Sequence, residues 1–204
     1  MIALANFILR GRVQALAVAF IGSFFPLISS ATIALVALCK GAKEGLLLFL
    51  WLSLILVLIQ QASTDNPLLA AVSIASLGIM VIAAKVHRHL ASWQWTLLAT
   101  IAISVACAFS FGLLMGSEVT AFLTTVEAMF AAINSKQQDA KISLDLTESM
   151  LLGIVATLLA IGSIMSLMLA RWWQAGIYNP GGFQKEFHSF KIEAKVAVIL
   201  VAVL

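Results

Sequence analysis

Residues 45–61 read GLLLFLWLSLILVLIQQ and contain no charged side chain. In hydrocarbon every backbone N–H and C=O must find its partner within the segment, so an open strand is excluded and a helix is predicted. Comparable apolar stretches occupy residues 13–39, 67–84, 94–116, 149–170 and 194–204. The pattern predicts an all-α integral membrane protein, a polytopic helical bundle of about six spans in a single domain, residues 1–204.

The composition supports the same class. The chain is 62% hydrophobic and 10% charged, whereas soluble domains are about half apolar and about a quarter charged. A small soluble domain could not bury that much apolar surface. The lipid bilayer is therefore the expected partner, and no nucleic-acid partner is expected. Cys39 and Cys107 both lie in apolar stretches and are interpreted as small buried hydrophobic residues.

Residues 13–39 allow two topologies, because Pro26 can either kink one long span or separate two short segments. Lys and Arg are enriched on the cytoplasmic side. A hairpin with a cytoplasmic N-terminus places ten of them inside and only Lys136 and Lys141 outside, whereas one span starting outside gives eight against four. The count favours a short-helix hairpin in a bacterial inner-membrane protein, with a single kinked span as the alternative. The ten are Arg10, Arg12, Lys40, Lys43, Lys85, Arg88, Arg171, Lys185, Lys191 and Lys195.

The hairpin suggests a ligand cavity. Each arm of about 13 residues covers roughly 20 Å and cannot cross about 30 Å of hydrocarbon. Irregular backbone at membrane depth must be buried in protein or line a cavity, and broken helices mark substrate sites in transporters. Candidate ligand residues are Pro26, Ser29 and Ser30, together with Gln60 and Gln61 at the outer edge of the next span. The alternatives are serines bonded to their own helix and glutamines in a solvated turn.

The polar segment 117–148 is periplasmic in this topology and carries a net acidic charge. Apolar residues recur there at three- and four-residue intervals, which is typical of an amphipathic helix. Three alternatives are open for this helix, over 118–134: it lies in the outer membrane interface, caps its own bundle or binds a partner. Its apolar positions are Val119, Phe122, Leu123, Val126, Phe130 and Ile133.

The segment 171–193 is predicted to be a cytoplasmic aromatic loop. Trp172 and Trp173 are interface anchors, and a tight turn follows in which proline fixes φ and glycine permits positive φ. The aromatic residues after the turn are spaced as on a short interfacial helix. The segment is either a docking surface for a partner or an elbow that sets the angle of the next span. The residues concerned are Asn179, Pro180, Gly181, Gly182, Phe183, Phe187 and Phe190.

Catalytic and metal-binding patterns are missing from the sequence. The apolar stretches contain no paired carboxylates, no G-x-S-x-G and no His–Glu zinc motif. His87 and His89 are two residues apart and point away from each other on a helix. We expect no enzyme, no cofactor and no metal site. Ala15 and Ala19, four residues apart, are expected to let helices pack closely.

Three stretches resemble a known family: RGRVQA at 10–15, LCKGAKEGLLLFLW at 38–51 and RWWQAGIYNPGGFQKEF at 171–187. They look like the proteobacterial branch of the YybS-like predicted membrane proteins, which are uncharacterised. That family is distantly similar to the S components of energy-coupling-factor transporters, small bundles of about six helices that capture a vitamin or metal ion from outside. The resemblance implies docking on a membrane coupling subunit, partly through an Ala-xxx-Ala patch that Ala15 and Ala19 match by spacing.

Two functions are consistent with the sequence. The leading hypothesis is a transporter-like, S-component-related bundle that binds a small molecule or a membrane partner without catalysis. The rival is a scaffold or assembly factor that acts through the periplasmic helix 118–134 and the cytoplasmic elbow Asn179–Phe190. Residues 194–204, AKVAVILVAVL, stop within an apolar run, so we expect the natural protein to continue beyond them.

Overall fold

A computed structural model describes residues 2–63, 66–136 and 146–188. All regular structure in these ranges is helical, and they contain no strand. The elements are α1 (Ile2–Arg10), α2 (Arg12–Ile21), a 3₁₀ turn (Gly22–Phe24), α3 (Pro26–Lys40), α4 (Ala42–Ala62), α5 (Pro67–Leu90), α6 (Trp93–Leu114), α7 (Gly116–Lys136), α8 (Glu148–Tyr178) and α9 (Gly182–His188).

Four of the helices, α4, α5, α6 and α8, are long and apolar enough to cross a membrane. The shortest, α4, has 21 residues and covers about 30 Å, the thickness of the hydrocarbon core. They correspond to the predicted stretches 45–61, 67–84, 94–116 and 149–170. The expected count of about six spans is not confirmed, because 13–39 is divided into two shorter helices and 194–204 lies outside the described residues.

The outer faces of α6 and α8 are apolar. Large hydrophobic side chains remain exposed at three- and four-residue intervals along both helices, which is the pattern of a face that meets lipid rather than water. On α6 these are Ile101, Val105, Phe109 and Leu113, and on α8 they are Ile154, Leu158, Ile161 and Met165.

The inner face of α6 is polar and internally satisfied. Thr96 donates to the carbonyl of Ser92 at 2.7 Å, Thr100 to that of Thr96 at 2.7 Å, and Ser104 to that of Thr100 at 2.8 Å. Each hydroxyl therefore has its partner within its own helix. As a result, α6 can pack directly on α8 without a polar group that needs a partner across the interface.

One end of the bundle, called the Arg88 end, contains the starts of α2, α4 and α6 and the ends of α3, α5 and α8. Arg12 at the start of α2 and Lys40 at the end of α3 line the same surface groove, so the α2–α3 pair leaves and returns at this end. Arg12 forms an ion pair with Glu44 of α4 at 2.6 Å. Helix α3 lies at the centre of the bundle and packs on α2, α4, α5 and α8.

The opposite end, called the Glu118 end, is held by side-chain hydrogen bonds. Asn66 caps α5, and its amide nitrogen also donates to the carbonyl of Glu118 at 3.0 Å. Thr120 of α7 donates to Glu148 of α8 at 2.6 Å. Ser117 donates to the Glu118 carboxylate at 2.7 Å and so lowers the pKa of that group. These contacts fix the start of α7 against α5 and α8.

Helix α7 covers most of the predicted amphipathic segment. Val119 and Leu123 are buried and pack with Leu151 of α8. Farther along, Met129 and Ile133 remain exposed. The first half of the apolar stripe therefore rests on its own bundle, whereas in the second half Val126 and Phe130 are half-buried and Ile133 is exposed.

Candidate functional site: a serine-lined cavity

A cavity of about 290 Å³ lies among α3, α4, α5 and α8, beside the 3₁₀ turn. This is roughly the volume of ten water molecules. Its wall alternates hydroxyl groups with aliphatic side chains: Ser23, Leu27, Ser29, Ser30, Leu56, Val72, Ser73, Ser76, Leu77, Leu158, Leu159, Gly162 and Ser163.

The break between α2 and α3 shapes one side of the cavity. Phe25 has an extended backbone with φ −123°, and α3 begins at Pro26. Proline lacks a backbone N–H, but the first N–H groups of a helix have no hydrogen-bond partner within the helix, so its absence there costs no hydrogen bond. The turn approaches α3 closely, since a Cβ on Gly22 would lie 2.9 Å from the backbone nitrogen of Ser29. Glycine is therefore required there for steric reasons, and the turn stays next to Ser29.

Five of the six serine hydroxyls of the wall fall into two groups. Ser23, Ser73 and Ser76 donate to carbonyls of their own helices or turn at 2.7–3.1 Å. The Oγ atoms of Ser29 and Ser163 are buried and have no hydrogen-bond partner in the part of the chain that the structure describes. A buried polar group without a partner costs about 1–3 kcal/mol. Two such groups on one cavity wall favour a space that holds polar atoms of a ligand or water.

The chemistry of the wall restricts the ligand. None of the lining residues is ionisable, and an ion buried without a partner would be strongly disfavoured. The leucines and the valine provide apolar contact area, and serine hydroxyls can both donate and accept hydrogen bonds. The cavity fits a small uncharged molecule with a few polar groups.

In comparisons with family models, curated proteins and solved structures, nothing matches this chain. The similarity to YybS-like proteins and to S components stays a prediction. The inference about function therefore depends on the geometry of the cavity and of the bundle around it.

The predicted ligand residues are only partly brought together. Ser29 and Ser30 line the cavity, and Pro26 begins the helix that carries them. Gln60 and Gln61 do not line it; Gln60 is half-buried and Gln61 is exposed. The residue of α4 that reaches the cavity is Leu56, and Gln60 lies one helical turn closer to the Glu118 end.

The contributions of α5 and α8 to the cavity wall were not predicted from the sequence. Ser73 and Ser76 on α5 and Ser163 on α8 were not recognised as site residues. Their only local signal is a serine within an apolar helix, which is common because such a hydroxyl can bond to its own backbone. Only the packing of α3 against α5 and α8 identifies these three serines.

The Asn179-Pro180-Gly181-Gly182 sequence forms the turn that its chemistry predicts. Gly182 donates its N–H to the carbonyl of Asn179 at 2.9 Å, and Gly181 has φ +82°, the value that the third position of a type II turn needs. The turn reverses the chain between α8 and α9.

The aromatic residues after the turn pack partly against the bundle. The ring centroids of Phe183 and Trp93 are 6.2 Å apart, and those of Phe183 and Phe187 are 6.1 Å apart. Phe187 remains exposed, and Phe190 lies outside the described residues. Phe183 therefore attaches α9 to the start of α6.

The structure also locates the two alanines predicted to pack between helices and the residues that could bind metal. Ala15 and Ala19 are buried within the bundle, so neither methyl group is on an open face. Within the described ranges, no group of three or more His, Cys, Asp or Glu side chains is placed to hold a metal ion.

Proposed function

We propose that this chain is a multi-pass protein of the bacterial inner membrane that binds a small uncharged molecule inside its helical bundle, in the manner of a transporter S component. We propose binding without catalysis, and none of the described residues that line the cavity is ionisable. The observation that carries the proposal is the pair of buried hydroxyls of Ser29 and Ser163 on one cavity wall, which have no hydrogen-bond partner among the described residues.

We place the Arg88 end in the cytoplasm. Among the Lys and Arg of the described ranges, Lys136 alone lies on α7, and the other eight belong to the Arg88 end, as the positive-inside rule requires of a cytoplasmic face. The eight are Arg10, Arg12, Lys40, Lys43, Lys85, Arg88, Arg171 and Lys185.

The same orientation makes the α2–α3 pair a re-entrant hairpin that enters from the cytoplasmic side. The two helices have 10 and 15 residues and cover about 15 and 22 Å. Neither length spans the hydrocarbon core. Residues Gly22–Phe24 then lie at membrane depth, where irregular backbone is tolerated beside a cavity.

Thiol modification tests whether the cavity is open to solutes. In a background with Cys39 and Cys107 replaced by alanine, we expect Ser163→Cys to react with methyl methanethiosulfonate in the purified protein. Ser104→Cys is the matched control, because its exposure is as low but its site on α6 is tightly packed. If both cysteines resist equally, no solute reaches the cavity and the ligand-binding proposal is wrong. If Ser163→Cys reacts, uncharged metabolites can be screened for protection.

Cysteine labelling in intact cells tests the orientation. Ser117→Cys reports on the Glu118 end and Lys185→Cys on the Arg88 end, and both positions are exposed. An impermeant maleimide should label only Ser117→Cys. Labelling of only Lys185→Cys would reverse the topology.

One observation favours the scaffold function as a second candidate. The distal half of α7 leaves Met129 and Ile133 exposed beyond its contact with the bundle. A partner that covers this face would explain these exposed side chains. Crosslinking through a photoreactive residue at position 129, with the exposed Thr125 as control, distinguishes the two functions. A single crosslinked partner protein together with an unreactive Ser163→Cys would favour the scaffold.

A further inference from the structure

A second cavity, called the Arg88 cleft, opens at the end of the bundle opposite to α7. Its volume is about 440 Å³, and it forms where the ends of α3, α5 and α8 meet the starts of α6 and α9. Unlike the serine-lined cavity, it is bounded by charged groups: Arg88, Arg171 and Glu186, with Gln174 beside them. The sequence analysis treated the arginines only as flanking charge.

The charges of the Arg88 cleft are unequally matched. Arg171 is held by Glu186 through two hydrogen bonds, and its Nη1 donates to Gln174 at 2.8 Å. Arg88 takes part in none of the side-chain hydrogen bonds and ion pairs of the described ranges. With histidine counted as neutral, the described residues that line the cleft carry two positive charges and one negative charge, so Arg88 is the guanidinium that no described carboxylate neutralises.

The chemistry of these groups selects an anion with several oxygens. Guanidinium nitrogens form a planar set of donors that matches phosphate and carboxylate oxygens. The side-chain amide of Gln174 lies against the already oriented Arg171. The volume is about that of fifteen water molecules, which accommodates a phosphate together with an attached glycerol or sugar.

The position of the Arg88 cleft favours a lipid as the source of the phosphate. Trp172 and Tyr178 are exposed at the same end, and tryptophan and tyrosine mark the level of the lipid head groups. Basic pockets between membrane helices on the cytoplasmic side bind the head groups of anionic lipids.

We propose that the Arg88 cleft is a phosphate-binding site, separate from the serine-lined cavity, and that Arg88 provides its main contact to the phosphate group. Glu186 competes with the phosphate for Arg171 and so sets the affinity. The site and the internal cavity use different residues, so the failure of either proposal leaves the other intact.

The test measures the affinity of the purified full-length chain for three probes by thermal shift. The probes are a short-chain phosphatidylglycerol, the matched phosphatidylcholine and inorganic phosphate. A shift with phosphatidylglycerol alone assigns the site to lipid, and a shift with inorganic phosphate as well assigns it to soluble phosphate compounds. If neither of these two anions shifts the melting temperature, or if phosphatidylcholine does so equally, the proposal is overturned.

Two variants assign the binding to the Arg88 cleft. Arg88→Gln should weaken anion binding by at least about tenfold, the usual effect of removing one charged hydrogen bond. Lys85→Gln, which removes the same charge one turn earlier on α5 and outside the cleft, should leave the affinity unchanged. Equal effects of the two variants would overturn the assignment.

The third variant changes the affinity in the opposite direction. Glu186→Gln removes the carboxylate that occupies Arg171, so anion binding should become tighter. A gain in affinity cannot result from partial unfolding, and it would support the proposal even if Arg88→Gln proves unstable. A weaker affinity in Glu186→Gln would contradict the proposed competition.

Discussion

Gly45, near the start of α4, lies so close to α3 that an added methyl group would overlap Ala37. A Cβ built on Gly45 would be 2.6 Å from the Cβ of Ala37 and 3.1 Å from its Cα. Carbon atoms in contact normally stay about 3.5–4.0 Å apart. The substitution Gly45→Ala therefore requires α3 and α4 to separate by about 1 Å.

The expected cost follows from two opposing effects. Overfilling a packed interior costs about 1–3 kcal/mol of folding stability. The upper half of this range applies to Gly45→Ala, because the overlap includes backbone atoms of α3 that no rotamer change can move. Alanine restores up to about 1 kcal/mol through its higher helix propensity. We expect a net loss of about 1–2 kcal/mol, which lowers the melting temperature by about 2–8 °C at this chain length.

The matched control is Gly153→Ala on α8, where no heavy atom lies within 4 Å of the built Cβ. There only the helix-propensity gain remains, so the variant should be more stable than the parent by up to about 1 kcal/mol. Thermal unfolding in detergent, followed by tryptophan fluorescence, measures both. If Gly45→Ala is as stable as Gly153→Ala, the close approach of α3 and α4 is wrong.

Three further substitutions test other contacts. Trp173→Ala removes a side chain that is 2% exposed and should lower the free energy of unfolding by about 3–5 kcal/mol. The neighbouring Trp172 is exposed, so Trp172→Ala should lower it by less than about 1 kcal/mol. Similar denaturation midpoints of the two variants would show that the rotation of α8 about its axis is wrong. Asn66→Ala removes the cap of α5 and the bond to α7, at a cost of about 1–2 kcal/mol, and hydrogen exchange should accelerate first in the first turn of α5. Glu44→Gln breaks the ion pair with Arg12, whose side chain is 72% exposed. The free energy of unfolding should therefore change by less than about 1 kcal/mol. A larger change that persists at high salt concentration would contradict this expectation.

Much of the fold follows from the sequence because hydrocarbon leaves few options. An apolar run that must satisfy its own backbone becomes a helix, and α4, α5, α6 and α8 lie where the runs predict them. The break in 13–39 also follows from Pro26. The number of spans does not follow from the sequence in the same way, because the length of an apolar run does not distinguish a re-entrant segment from one that crosses the membrane.

The candidate site is harder to predict than the fold. Serines in apolar helices look alike in sequence, yet Thr100 and Ser104 bond to their own helix, and Ser29 and Ser163 do not. The difference depends on how α3 and α8 are rotated against their neighbours, which the packing of the whole bundle determines. Adjacent positions such as Gln60 and Gln61 also point in different directions on a helix, so they could not be expected to act together.

The return of the α2–α3 pair to its starting end has a consequence for how the chain enters the membrane. A segment that leaves and comes back contributes nothing to the final sidedness, whatever depth it reaches. In the proposed topology the first helix that crosses the membrane is therefore α4, and Lys40 and Lys43 precede its apolar core. From there α4, α5, α6 and α8 make an even number of passes, so α8 finishes at the end where α1 began, and Ile2 lies against Gly176. Helix α3 therefore packs on α4 and α5, which follow it in the chain, and also on α8, the last of the four long helices.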